Sequence, residues 1–313
     1  MSKMKEWLKT THYKDYRLEI ASSDASFRQY YRLSEAENSV IVMDSSLEKE
    51  SLTPFVDITS RLQSVGVKAP KILEQNLEDG FLILEDFGNI HYLNLLNEKN
   101  FEELYIKAID EIVKIQKAPT DKLPLYDKDF LHFEMSLMQE WYLEKKLSIS
   151  LTNRQKDIIH TALEDISNVV LSQPQDVFVH RDYHSRNIML KEGLNIGVID
   201  YQDAMSGAIT YDLVSLLKDC YIEFDREKIE GLVLLFRDKL GLKTADKEFI
   251  KWFDFMGMQR HIKVLGVFSR LDIRDGKDGY LKDIPLTLKY TLQTAQRYKE
   301  TEEFAKLLKE LTL

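Results

Sequence analysis

The chain is poor in cysteine, glycine and proline. A single cysteine, Cys220, stands among 313 residues, which excludes an internal disulfide and a thiolate-held metal cluster. Six prolines and twelve glycines are too few and too scattered to form a linker, and no low-complexity segment or internal repeat is visible. Long apolar runs are missing as well. GLVLLF is far short of the roughly 18 residues a membrane helix requires, and MSKMKEWLKTTHYKDY has no apolar core of a secretory signal. Positive charge is also in deficit, with 43 Lys and Arg against 52 Asp and Glu and a formal charge of -9. That balance excludes nonspecific nucleic-acid binding but leaves anionic ligands open through a metal ion or a local basic patch. A cytoplasmic protein with no nucleic-acid, membrane or obligate protein partner is expected.

What is present describes an ordinary folded protein, 44% hydrophobic and 30% charged, long enough for about two domains with separate cores. RLEIA, FRQYYRL and SVIVMD read as strands. A helix fits residues 49–65 and ends at Gly66, and KILEQ and FLILED follow as further strands. After EDFGN the pattern turns helical. FEELYIKAIDEIVKIQ and FLHFEMSLMQEWYLEKKL repeat their apolar residues at helical spacing, and a third helix fits 152–171. Short strands flank residues 180–187, NIGVID adds another, and helices fill the rest. The expected fold class is α+β, with a hinge at 87–89 between a small β-rich lobe (1–88) and a larger, mainly helical lobe (89–313).

Residues 177–190 read VFVHRDYHSRNIML, a polar loop between two apolar strand ends. Eight residues beyond its Asn comes NIGVIDYQD, a strand that delivers Asp200 at its end. In phosphoryl transfer one Asp orients the acceptor hydroxyl and takes its proton, while an Asn and a second Asp hold Mg2+ on the phosphate oxygens. Asp182, Asn187 and Asp200 match those roles in order and spacing. Taken singly, each could be a salt-bridge turn or a helix cap; together they favour catalysis. His180 reads as a packing residue and Cys220 as core. Asp212 opens the helix YDLVSLL, where it either fixes the metal loop or complements the helix N-terminus.

FVHRDYHSRNIML, GVIDYQDAMSGAITYDLVSLLKDCY and QRHIKVLGVFSRLDIRDGKDGYLKD resemble the aminoglycoside phosphotransferase and choline kinase superfamily. Within it they are most similar to the bacterial anomeric N-acetylmuramate/N-acetylglucosamine kinases of cell-wall recycling. The resemblance runs from about Ser22 onward. It implies a bilobal protein-kinase-like fold, ATP and Mg2+ as cofactors, and an amino sugar phosphorylated at its C1 hydroxyl. It places the base on Asp182 and the metal ligands on Asn187 and Asp200. The N-terminal lobe would bind nucleotide and the C-terminal lobe would hold the catalytic loop and the acceptor. Adenine would meet the backbone of Glu85 and Phe87, and the loop SSDAS, with Ser26, would cover the phosphates.

One departure stands out. Kinases carry a Lys on the strand that here reads VIVMD, where Met43 and Asp44 stand instead. Alternation puts Arg28 and Arg32 of FRQYYR on one strand face, and either could replace it; otherwise the chain is a nucleotide-binding pseudokinase. Other small alcohols, an aminoglycoside or choline, remain as acceptors. A polycation calls for a site lined with carboxylates and choline for an aromatic cage. His184, Asp203 and Arg260 are the candidate acceptor contacts. FIKWFDFMGMQRHIKVLGVFSRLDIRDG reads as one helix ending near Leu271, with Arg260, Lys263, Val267 and Arg270 along one face. Its Arg260 end is the expected partner of the lactyl carboxylate of N-acetylmuramic acid, if the stripe is not simply paired within its own lobe.

Overall fold

The computed structural model describes residues 2–23, 28–191 and 195–312. It divides into two compact units, Met1–Asn94 with Arg186–Asp203, and Leu95–Ser185 with Ala204–Leu313.

The first unit is organised by five antiparallel strands: β1 (Arg17–Ser23), β2 (Gln29–Glu35), β3 (Asn38–Asp44), β4 (Ile72–Asn76) and β5 (Phe81–Glu85), in the order β1-β2-β3-β5-β4. Period-two alternation sorts their faces. Tyr31 and Leu33 of β2, Val40 and Val42 of β3, and Phe81 and Ile83 of β5 bury one face with Met4 and Leu8 of α1 (Ser2–Leu8). That helix is only seven residues long and was not expected from the sequence. Helix α2 (Leu52–Ser64) buries Phe55, Ile58 and Leu62, and Gly66 follows at φ 80°, as expected of a glycine stop.

A hairpin of β7 (Ile188–Lys191) and β8 (Asn195–Val198) belongs to this unit. Leu190 N–H donates to Ile90 C=O at 2.8 Å and Val198 N–H to Lys68 C=O at 2.9 Å. The ring of Phe87 occupies the space where Gly197 would carry a Cβ. Phe55 of α2 stacks on Tyr201 at 5.2 Å. The Tyr201 hydroxyl bonds Thr59 Oγ1 at 2.8 Å. As that oxygen already donates to Phe55 C=O, Tyr201 is the donor.

The second unit is helical: α3 (Phe101–Ile115), α4 (Lys128–Leu137), α5 (Asn153–Ser172), α6 (Tyr211–Leu217), α7 (Arg226–Lys239), α8 (Asp246–Asp275), α9 (Ile284–Ala295) and α10 (Glu302–Thr312), with β6 (Val177–Val179) paired to β9 (Met205–Gly207). A capping box of Thr152 and Gln155 starts α5. Helix α8 is apolar on most sides and largely buried between Phe249 and Ser269, the behaviour of a central helix. It runs four residues past Leu271 and stops at Gly276 in the left-handed conformation, φ 65°. Gly266 lets its backbone lie against that of Leu137. One residue beyond that contact α4 widens into a π-helix, Met138–Lys146, where apolar spacing alone reads as a continuous α-helix.

Candidate active site

Strand β6 delivers His180, Arg181 and Asp182 into the second unit. His180 is fully buried and packs edge-on against Tyr183, centroids 5.8 Å apart. Arg181 adopts φ 76°, a conformation that L-residues other than Asn and Asp rarely take. Buried Asp212, in the first turn of α6, accepts the N–H of His180 at 2.8 Å and that of Arg181 at 3.0 Å. Asp212 therefore holds the loop of the expected base, a role the sequence reading did not assign it. Burial pushes its carboxyl up to about 7, against the pull of those two N–H groups and with Asp182 adding to the rise. Downstream, Asp219 accepts from the Ser185 N–H at 2.9 Å and from its hydroxyl. His184 meets Tyr221 edge-on at 5.4 Å.

Asp182 keeps 41% of its side chain exposed. Partial burial works against its ionisation, but Lys263, His184, Arg260 and Arg181 outweigh it and hold the carboxyl at about 2. It is an anion throughout the neutral range. Around it, buried Glu134 of α4 bonds Arg181 at 2.6 Å and Lys263 at 2.9 Å, and also accepts from the Tyr126 hydroxyl and, at 3.2 Å, from Gln259 Nε2. Sequence reading missed Glu134. The signal was there, since Leu131, Glu134, Met135 and Met138 fall at i, i+3, i+4 and i+7 and share the buried face.

Arg260 has different surroundings from those of a solvent-facing carboxylate contact. It is only 5% exposed. Its Nε donates to Ser215 Oγ at 2.8 Å, and its guanidinium lies 4.0 Å from Asp182 Oδ1. Lys263, one helical turn on, is partly buried and reaches the Tyr211 hydroxyl at 3.3 Å.

In the first unit, Tyr30, Arg32, Ile41, Phe55, Leu84, Glu85, Asp86, Phe87, Met189 and Tyr201 are among the residues lining a cavity shared with Asn187 and Asp200. Asn187 Nδ2 donates to Asp200 Oδ2 at 3.1 Å and Gln202 Nε2 to Oδ1 at 3.0 Å. Asp200 itself sits at φ 65°, so both expected catalytic loops contain a left-handed residue fixed by side-chain bonds. A carboxylate and an amide carbonyl on adjoining side chains form an oxygen donor set that suits Mg2+. Asp203 is exposed and accepts from Gln202 at 3.3 Å.

The strand position that usually carries Lys is closed, because Met43 is fully buried and faces Leu82 across the sheet. Arg32 lines the cavity but is held by Asp86, at 2.5 and 3.0 Å, and by Asn89 Oδ1 at 2.8 Å. Burial opposes ionisation of Asp86, yet Arg32 and the Gly88 N–H keep its carboxyl below the usual range. Arg28 is buried at the start of β2, where its Nε donates to Ser51 Oγ at 3.4 Å. Ser26 lies outside the described residues.

A family model described as "Phosphotransferase enzyme family" matches residues 17–242. The chain belongs to this phosphotransferase family. Among curated phosphotransferase relatives, a Neisseria meningitidis protein is 38% identical over 99% of this chain and 95% of its own length. A Pseudomonas aeruginosa protein is 38% identical over 93% and 87%. Both are named N-acetylmuramate/N-acetylglucosamine kinase. Among solved structures, the gentamicin complex of the aminoglycoside phosphotransferase APH(2")-IIa aligns at TM-score 0.67 with 17% identity, over 92% of this chain and 96% of that one. The choline kinase LicA from Streptococcus pneumoniae aligns at 0.64 with 14% identity, over 93% and 98%. The expected α+β, protein-kinase-like fold is therefore the fold of this phosphotransferase, with a five-stranded sheet in one part and a larger helical part.

Proposed function

We propose that this chain is an ATP- and Mg2+-dependent kinase that phosphorylates the C1 hydroxyl of N-acetylmuramic acid and N-acetylglucosamine. The observation that carries the acceptor choice is the charge around Asp182. Arg181, Arg260 and Lys263 face Asp182 and a Glu134 already shared between two of them. A polycationic aminoglycoside would be repelled there, whereas a neutral sugar or one bearing a carboxylate is tolerated or attracted. The names of the relatives agree with this choice.

Asp182 would accept a hydrogen bond from the C1 hydroxyl, orient its oxygen and receive the proton as that oxygen bonds the γ-phosphorus of ATP and the bond from that phosphorus to the ADP oxygen breaks. A carboxylate held at about 2 is a weak base. Two features make it sufficient: a hemiacetal hydroxyl is more acidic than an ordinary alcohol, and phosphoryl transfer passes through a loose transition state that needs orientation more than strong base. Asp212 keeps the loop in its left-handed turn, and Lys263, His184, Arg260 and Arg181 together keep Asp182 ionised. Asn187 and Asp200 would hold Mg2+, which neutralises phosphate charge when bound. The apolar wall of Ile41, Leu84, Met189 and Phe87 suits a purine ring, and Arg28 would meet the phosphates in place of the missing lysine.

The test is a product assay with ATP, Mg2+ and a panel of the two amino sugars, an aminoglycoside and choline, with NMR locating the new phosphate. A C1-phosphorylated amino sugar is expected. Phosphate on any other hydroxyl, or turnover of the amines alone, would overturn the assignment, and nucleotide binding without any turnover would leave a pseudokinase.

A further inference from the structure

The second unit holds a separate cavity of about 680 Å³, whose lining includes Lys218, Phe224, Arg226, Ile229, Tyr290 and Arg297. Lys218 follows α6 and is only 7% exposed. Burying an ammonium is costly unless an anion or acceptor meets it. Its charged neighbours are already engaged. Arg226 forms a two-point pair with Asp254 at 2.6 and 2.9 Å and reaches Glu230 at 2.6 Å. Arg297 reaches Glu230 at 3.1 Å, and Lys289 holds Glu223 at 2.6 Å. Asp225 accepts the N–H groups of Glu227 and Lys228. Among the described residues the Lys218 ammonium makes no hydrogen bond or ion pair; it lies 4.8 Å from the centre of the Tyr290 ring. Burial draws its pKa down to about 8, so it remains mainly a cation at neutral pH.

We propose that this cavity binds a small carboxylate with an apolar body, its charge on Lys218 and its body against Tyr290, Phe224 and Ile229. A single available cation matches one negative charge. A phosphate would gather two or three donors, and Glu98, Glu223 and Asp225 in the lining would repel a dianion. The site is distinct from the base, yet the residue after Lys218 is Asp219, which holds Ser185 of the base loop. This proposal is independent of which acceptor the enzyme phosphorylates.

The probe is benzoate, with benzamide as its uncharged counterpart and inorganic phosphate as the competing anion, titrated by saturation-transfer NMR against the full chain and Lys218→Met. Benzoate should bind saturably in the millimolar range, and Lys218→Met should weaken it about tenfold or more. Benzamide should bind poorly to both, and phosphate should not displace benzoate. Equal benzoate affinity for the two proteins, no saturable binding to the wild type, or displacement by phosphate would each overturn the proposal. A measurement on the wild type alone covers the case where the variant does not fold: acylation of Lys218 near pH 8, followed by mass spectrometry, should be slowed by benzoate and not by benzamide. Equal labelling with and without benzoate would be a second refutation.

Discussion

The two units handle charge in opposite ways. In the first, the cavity wall is largely apolar, and Arg32 is paired to Asp86 before any ligand arrives. In the second, the expected base sits among three basic side chains, two of which share one further carboxylate, Glu134. Buried charge is tolerated only where each group has partners. Around Asp182 the helical unit meets that condition with a network, and beside the cavity of the sheet unit Arg32 and Asp86 meet it as a pair. Shape and apolar contact suit a purine ring that takes no part in the chemistry, whereas an electrostatic field suits the group that must be oriented and deprotonated. Damage to each unit should therefore have a different kinetic signature.

The sharpest break would come from the two aspartates. Asp182→Ala should lower kcat by about 10^2–10^4-fold while leaving nucleotide affinity near that of the wild type. Asp200→Ala should instead weaken Mg-nucleotide binding, read by isothermal titration, as well as abolishing turnover. Near-normal kcat in folded Asp182→Ala would end the proposed mechanism. Next in size is Asp212→Asn. Its two oxygens accept separate N–H groups, and the amide would turn an N–H donor toward one of them, costing about 1–3 kcal/mol and lowering kcat. The pH dependence has a definite sign. A carboxyl raised to about 7 gives stability that is complete below the ordinary value of 3.8 and lost as pH rises through 7. Denaturation should therefore find the deficit of Asp212→Asn largest near pH 4 and narrowing toward pH 7.

On the nucleotide side, Arg28→Ala should raise KM for ATP by roughly tenfold, an energy of about 1.4 kcal/mol, and exceed the effect of Arg32→Ala, whose guanidinium is committed to Asp86. The reverse order would mean that Arg32 changes partners when nucleotide binds. The smallest effect belongs to Arg260→Ala. Because the guanidinium is enclosed beside Asp182, kcat/KM should fall by similar factors on both amino sugars. The acid limb of the pH profile should also move upward, since the proposed base, Asp182, is held at about 2 in part by this residue. A loss confined to N-acetylmuramic acid would restore the carboxylate contact read from the sequence.

Most strands, most helices and the order of Asp182, Asn187 and Asp200 were legible because local alternation, helical spacing and loop chemistry are written in consecutive residues. Pairings across long separations were not. Glu134 is 47 positions from Arg181, and nothing local says that a glutamate on an apolar face has two cations waiting. Asp212 could be read as a helix-opening residue, but its backbone partners lie 31 and 32 positions upstream. Arg28 and Arg32 were equivalent by alternation and became different only through Asp86. The π-helix at Met138–Lys146 begins just after the Gly266 contact of another helix, which no window on α4 contains.

The first unit is assembled from two stretches of chain that synthesis keeps apart. Its Phe87 ring rests on Gly197, and Lys68 and Ile90 supply carbonyls to Val198 and Leu190. At about 5–20 residues per second, several seconds pass between translation of the sheet and of the hairpin that completes it. During that interval the nascent sheet exposes an aromatic side chain that the finished protein covers. A fragment stopped at Asn94 would freeze the interval permanently, so expressing the sheet alone should yield an aggregation-prone product, and ribosome-bound chains should gain protease resistance only once residue 203 has emerged.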